Sequence, residues 1–273
     1  MDLRQRLGSS ALALVLTAAH AGQPEPQIVQ VRPSGSEVPA NLLRLSLKFP
    51  APVEGPVLPR IGLVLADGTW LQDPFLPQEL WSPDGTTLTL LLHPGRVKTG
   101  LVAREKLGPV LREGEDVAVI FDSQPIKRWH IGPVDSNGPV ASAWRMSTVR
   151  AGSRAPLVVT LDHPIDSQDT DHVAIVDARD HRVDGRAQLK NGETTWIFNP
   201  DAPWQTGEYR LAVRGTLEDS AGNRLGGQFE TPMSSPPKPA TDVFVTFGVD
   251  SPISAGRTRQ TAPMSERSLF TRP

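Results

Sequence analysis

The sequence predicts an all-β protein: two tandem β-sandwich domains behind an export signal, with a mostly disordered C-terminal tail. Three observations carry this. A strand pattern occurs twice in one register, because Leu45-Ser46-Leu47-Lys48-Phe49-Pro50-Ala51-Pro52-Val53 aligns with Leu157-Val158-Val159-Thr160-Leu161-Asp162-His163-Pro164-Ile165, and Pro52 falls on Pro164. The 27 prolines and 23 glycines punctuate short segments and argue against long helices. At 273 residues the chain has room for two domains, each able to bury its own core.

The individual elements follow from local pattern. Strand signals begin at Ile28-Val29-Gln30-Val31. Leu43, Leu45, Leu47 and Phe49 then alternate with Arg44, Ser46 and Lys48, the period of a half-buried strand. Ile61-Gly62-Leu63-Val64-Leu65 is a strand closed by the turn dipeptide Asp67-Gly68, and Thr87-Leu88-Thr89-Leu90-Leu91-Leu92 follows the turn at Asp84-Gly85. In the second copy Val173-Ala174-Ile175-Val176 takes the place of the Ile61 strand, and Asn191-Gly192 that of Asp84-Gly85. Thr195-Trp196-Ile197-Phe198-Asn199-Pro200 then matches the strand ending at His93-Pro94. The strand from Gly207 to Val213 matches the one from Gly114 to Ile120, so the first copy carries an insertion near residues 95–111. The resulting division is a signal peptide at 1–21, domain 1 at 22–131, a linker at 132–139, domain 2 at 140–231 and a flexible tail at 232–273.

The export reading rests on Arg4 and Arg6, then an apolar stretch over residues 7–18 too short to span a bilayer, then Ala19-His20-Ala21 as a small-x-small cleavage site. The expected location is periplasmic or extracellular. The absence of cysteine excludes disulfides, thiol nucleophiles and cysteine-ligated metals, so each domain must be held by its core alone. A net charge of −2, from 28 basic and 30 acidic residues, supplies no global field for nucleic acid or an anionic membrane.

The second copy ends in Tyr209-Arg210-Leu211-Ala212-Val213, then Leu217-Glu218-Asp219-Ser220-Ala221-Gly222-Asn223-Arg224-Leu225, then Phe229. This resembles the last hairpin of bacterial Ig-like modules of the S-layer-protein (SbsA-type) family: a strand, an Asp-x-Ala-Gly-Asn turn and a closing strand. The start of the first copy, with Pro33, Pro39 and the strand end at Phe49-Pro50, is similar to how such modules begin. The first copy departs from the pattern after Ile120, where Phe121-Asp122-Ser123-Gln124-Pro125 replaces the Ala-Gly-Asn turn. The resemblance implies two tandem Ig-like sandwiches used as a spacer, scaffold or binding module, without catalytic residues or a cofactor. Asp219 and Asn223 read as turn closers and Gly222 as the residue with positive φ.

Candidate chemistry is sparse. There is no Gly-x-Ser-x-Gly elbow, no glycine-rich phosphate loop before a lysine and no His-Glu-x-x-His. His93 and His163 each precede a proline at a strand end and read as turn residues. Asp166, Asp169 and Asp171 share one expected loop, which allows a calcium site, although the spacing lacks the glycine and distal glutamate of an EF-hand and a solvated acidic loop is the simpler reading. Copper-carrying proteins of the CopC family also resemble an Ig-like sandwich and use an N-terminal histidine, a role open to His20 only if cleavage falls after Ala19. Trp70, Trp81 and Trp204 flank turns, where an exposed indole can stack on sugars or anchor a protein, whereas Trp196 falls at a core position. Arg96, Lys98, Arg104 and Lys106 lie in the insertion that breaks the repeat, the first place to expect something specific to this chain. The function expected is a non-enzymatic scaffold or binding module contacting protein or polysaccharide of the cell envelope. The alternatives are metal binding and a cell-wall glycan hydrolase.

Overall fold

The computed structural model describes residues 27–28, 30–98, 101–225, 227 and 240–251. The expected signal peptide, His20 within it, and most of the expected tail lie outside the described residues. Domain 1 holds β1 (Gln30–Arg32), β2 (Glu37–Pro39), β3 (Arg44–Lys48), β4 (Ile61–Leu65), β5 (Leu80–Trp81), β6 (Thr87–Leu91), β7 (Asp116–Phe121) and β8 (Gln124–Gly132). Two short helices, α1 (Pro94–Val97) and α2 (Val102–Leu107), fill the insertion between β6 and β7. Domain 2 holds β9 (Arg145–Met146), β10 (Leu157–Thr160), β11 (Val173–Asp177), β12 (Gly185–Lys190), β13 (Thr195–Pro200), β14 (Gly207–Val213) and β15 (Val243–Val249).

The strand order makes each domain an Ig-like sandwich. In domain 1 the sheets run β1-β3-β6-β5 and β2-β8-β7-β4; in domain 2 they run β9-β10-β13-β12 and β11-β14-β15. These are the A-B-E-D and C-F-G sheets of an Ig-type domain, with β2 added in parallel to the last strand of domain 1. The duplicated register is therefore real: β3 and β10 occupy the same place, as do β4 and β11, β6 and β13, and β7 and β14.

Each core is built by alternation. Leu45 and Leu47 of β3 meet Leu88 and Leu90 of β6 inside domain 1, while Leu157 and Val159 of β10 and Trp196 and Phe198 of β13 do the same in domain 2. Burying each such side chain contributes about 1.5–3 kcal/mol, which is how both domains hold without a disulfide. Tyr209, near the start of β14, packs edge-on to Trp204 and accepts a hydrogen bond at its hydroxyl from Gln205 N at 3.2 Å. This is a tyrosine corner, the tie that pins the turn entering strand F in Ig-type domains.

Two expectations about the last hairpins change. In domain 1, β7 and β8 are joined directly at Asp122 and Ser123, both with positive φ (47° and 64°), the tight turn that suits twisted strands. In domain 2 the strand that pairs with β14 along its whole length, from Val243↔Val213 to Val249↔Gly207, is β15, and Phe229, the expected place of the closing strand, lies outside the described residues. The reading of 232–273 as a flexible tail is corrected for these residues, because Val245 and Phe247 pack against the second core and Val249 lies within it.

Candidate functional site

The functional geometry gathers in three places: the seam between the sandwiches, the insertion and the turn tryptophans. The seam is a polar cluster. Arg44, from a solvent-side position of β3, forms ion pairs with Asp166 and Glu218 of domain 2. Its Nε lies 3.0 Å from Asp166 Oδ2, but the N–H is not aligned for a hydrogen bond. Arg32 pairs with Glu193, which also accepts Ser34 N at 2.8 Å. The backbone joins in where Leu43 N donates to Ser220 O at 2.9 Å.

Burial sets the electrostatics of the seam. Asp166 is 4% exposed, and burial pushes its carboxyl up to about 6 against the pull of Arg44 and the Gln168 N–H. Asp169 is also raised by burial. Burial works against the charge of Arg44 too, yet Asp166 and Glu218 together hold that guanidinium above its usual value. The cleft here offers only about 10 Å³, room for about one water.

The Asp219 motif completes the seam. Asp219 Oδ1 accepts Ala221 N and Asn223 N, both at 2.8 Å, and Gly222 takes φ +84°, so the expected turn chemistry is present. Asn223 Nδ2 then donates to Asp135 O at 3.0 Å, and Asn41 of domain 1 holds the same linker residue through two hydrogen bonds. The linker is thus stapled to both domains. Gly138 is needed because a Cβ there would meet Arg224 O at 1.9 Å.

These contacts change the reading of the Asp-rich segment. Asp166 caps a short 3-10 turn over Ser167–His172 by accepting Gln168 N at 2.8 Å, and Asp169 accepts Glu218 N at 2.6 Å. Asp171 is exposed, unlike the other two. In place of an open acidic loop, Asp166 and Asp169 are buried in the seam with their oxygens committed, and no group of three metal-binding side chains gathers among the described residues.

The insertion is anchored from below. Arg96 is 6% exposed, and its guanidinium donates to the carbonyls of Gln72, Asp73, Gly108 and Pro109. Arg104 Nη1 donates to Arg96 O and Val97 O, each at 2.8 Å. His93 caps α1 by accepting Gly95 N at 3.2 Å, the turn role expected of it. Arg96 and Arg104 are therefore pegs of the insertion and are not free to meet a partner, while Lys98 is half-buried and Lys106 exposed. What the insertion does present is apolar: Leu101, Val102 and Leu107 are 41%, 63% and 58% exposed.

The three turn tryptophans part company. Trp70 is 58% exposed and packs against Gly62 of β4, where a Cβ would strike its ring at 2.4 Å. Trp81 is half-buried, donating to Glu79 Oε2 at 2.9 Å and packing on Phe49. Trp204 is 2% exposed, its indole donating to Ala155 O at 2.8 Å, so it belongs to the core and not to a binding surface. Sequence reasoning did not single out Arg44, Glu193 or Glu218; the one signal was the Asp219 motif, which lies beside Glu218.

No protein-family model matches the chain, and no curated protein matches it. Solved structures with similar folds include the tandem Ig repeats of Dlar (13% identity, 68% of this chain and 88% of that one, TM-score 0.20). Domains 5-6 of the S-layer protein SbsC align at 11% identity over 84% of this chain and 99% of that one, with a TM-score of 0.23. SGBP-B from a complex xyloglucan utilization locus in Bacteroides uniformis aligns at 14% identity over 76% of this chain and 49% of that one, with a TM-score of 0.25. The Ig-like assignment rests on the strand order, not on these scores.

Proposed function

We propose that this chain is a non-enzymatic, extracytoplasmic binding module. Its two sandwiches are docked through the seam, and it contacts protein or polysaccharide of the cell envelope through the domain 1 insertion. The observation that carries the reading is the construction of that insertion: a buried arginine fixes its base while Leu101, Val102 and Leu107 stand in solvent. Exposed apolar groups on a rigid support suit a contact surface. Asp166, Glu193 and Glu218 pair with arginines of domain 1 across the seam, and Asp169 accepts Glu218 N within domain 2, which supports a structural role for these carboxylates.

The test compares capture from an envelope fraction, and co-sedimentation with isolated envelope polysaccharide, for the native chain and a Leu101→Ser, Val102→Ser, Leu107→Ser variant. Arg96 and Arg104 stay in place so that the fold is kept. Loss of capture in the variant supports the reading. Capture that survives all three substitutions refutes the insertion as the binding face.

A further inference from the structure

β15 is an edge strand, and its sequence does nothing to guard it. An edge presents unpaired N–H and C=O groups, and chains blunt it with lysine, proline, a bulge or a covering segment. The equivalent edge in domain 1 has all of these. β8 carries Pro125, Lys127 and Arg128, and its pairing with β7 is bulged at Val119/Ile120. The segment over residues 33–39 also lies along its outside, with His130 N donating to Ser36 O at 2.8 Å and Lys127 Nζ to Ser34 O at 2.7 Å.

β15 reads Val243-Phe244-Val245-Thr246-Phe247-Gly248-Val249, with no charge and no proline, and with β-branched or aromatic residues everywhere except Gly248. Among the described residues the backbone bonds reaching its outer edge are confined to Asp250, through the Arg150 bridge and the bond from Ala151 N at 3.0 Å, and the 3-10 turn over Ala141–Ala143 packs beside the strand without pairing with it. Phe244 is 51% exposed on the solvent face of this strand.

We propose that β15 pairs antiparallel with β15 of a second copy of this chain, about a two-fold axis through Thr246. The strand is self-complementary in that register. Thr246 falls opposite its own counterpart, Val245 opposite Phe247 and Val243 opposite Val249, the threonine and aromatic–β-branched pairs that stabilise antiparallel ladders. Phe244 falls opposite Gly248, so an exposed ring covers bare backbone. An uncharged strand places no like charges against itself across these seven residues. Asp242 and Asp250 mark the two ends. The pairing stops there, because the next step would set Asp242 against Asp250 of the other copy; Asp242, itself exposed, accepts Gly215 N at 3.0 Å, and Asp250 is bridged to Arg150. The contact is isologous and closes at two copies, giving a six-stranded sheet in the order β11-β14-β15-β15-β14-β11.

The chain has no cysteine, which makes the register directly testable. Directly opposed residues of an antiparallel pair lie about 4.5–5.5 Å apart at Cα, within the span of a disulfide. In Thr246→Cys the two sulfurs meet on the axis. In Phe244→Cys the counterparts sit four residues out of register, roughly 13 Å apart along the strand. The expected results are a doubled mass by light scattering for the whole chain, covalent dimer on mild oxidation of Thr246→Cys but not of Phe244→Cys, and a folded monomer for Thr246→Lys by mass and circular dichroism. A wild-type chain that stays monomeric overturns the proposal. So does a dimer that Thr246→Lys leaves intact, or cross-linking that is equal at the two cysteine positions.

Discussion

Replacing Arg44 by methionine tests whether the seam holds the domains. The substitution keeps the length of the side chain but leaves Asp166, 4% exposed, without its cation. Removing one partner of a fully buried pair costs about 3–5 kcal/mol. Two features reduce that here. Arg44 and Glu218 keep 19% and 21% side-chain exposure. Asp166, already pushed up to about 6, can take a proton at a cost of about 1.4 kcal/mol at pH 7. The expected loss is therefore about 2–3 kcal/mol at pH 7, read by urea unfolding with tryptophan fluorescence. The folded pKa of Asp166 lies above its ordinary value of 3.8, so the folded state binds more protons between about pH 4 and 6, and its contribution to stability falls as pH rises through that window. Without Arg44 the pKa climbs further and the window extends above 6, so lowering the pH from 7 to 5 should recover more stability in the variant than in the native chain. Adding Asp166→Asn should restore most of the loss. A deficit below about 0.5 kcal/mol at pH 7, the level of an exposed pair, or a deficit independent of pH, would refute the account.

Two other outcomes follow from the geometry. Arg96→Ala should destabilise domain 1 by about 2–4 kcal/mol, because it leaves four carbonyls short of a donor, and Arg96→Lys should recover little, since a point charge cannot reproduce the guanidinium fork; urea unfolding of the two variants checks this. Tyr209→Phe should cost about 1 kcal/mol through loss of the corner bond to Gln205 while leaving the edge-on contact with Trp204 intact, seen as a lowered unfolding midpoint with unchanged near-ultraviolet dichroism.

Strands that are short apolar runs bounded by turn residues were legible in the sequence: β4, β13 and β14 occupy the residues expected of them. β12 was not legible although it alternates, because the positions opposite exposed Arg186, Gln188 and Lys190 are Gly185, Ala187 and Leu189, and of these only Leu189 is a large buried side chain. β15 has a strong strand composition, but the proline-rich stretch before it separates it from β14 and made it look like part of a tail. The seam is invisible for a different reason. Arg44 and Glu218 are 174 residues apart, and neither residue type in a strand or turn announces a partner. The tryptophans show the same limit, since Trp70 and Trp204 both flank turns yet are 58% and 2% exposed.

The placement of β15 also bears on the order in which the chain can become structured. Domain 1 has its whole sandwich in hand by Gly132, its last two strands joined across two residues. Domain 2 stays one strand short until residue 249 arrives, because residues 214–242 intervene before the partner of β14. A chain emerging from its N-terminal end therefore presents a finished first sandwich, with Arg32 and Arg44 already set in their strands, against which the later half can assemble. The Asp219 turn falls within the intervening stretch, so it can dock on that surface before the strand that closes its own domain is available.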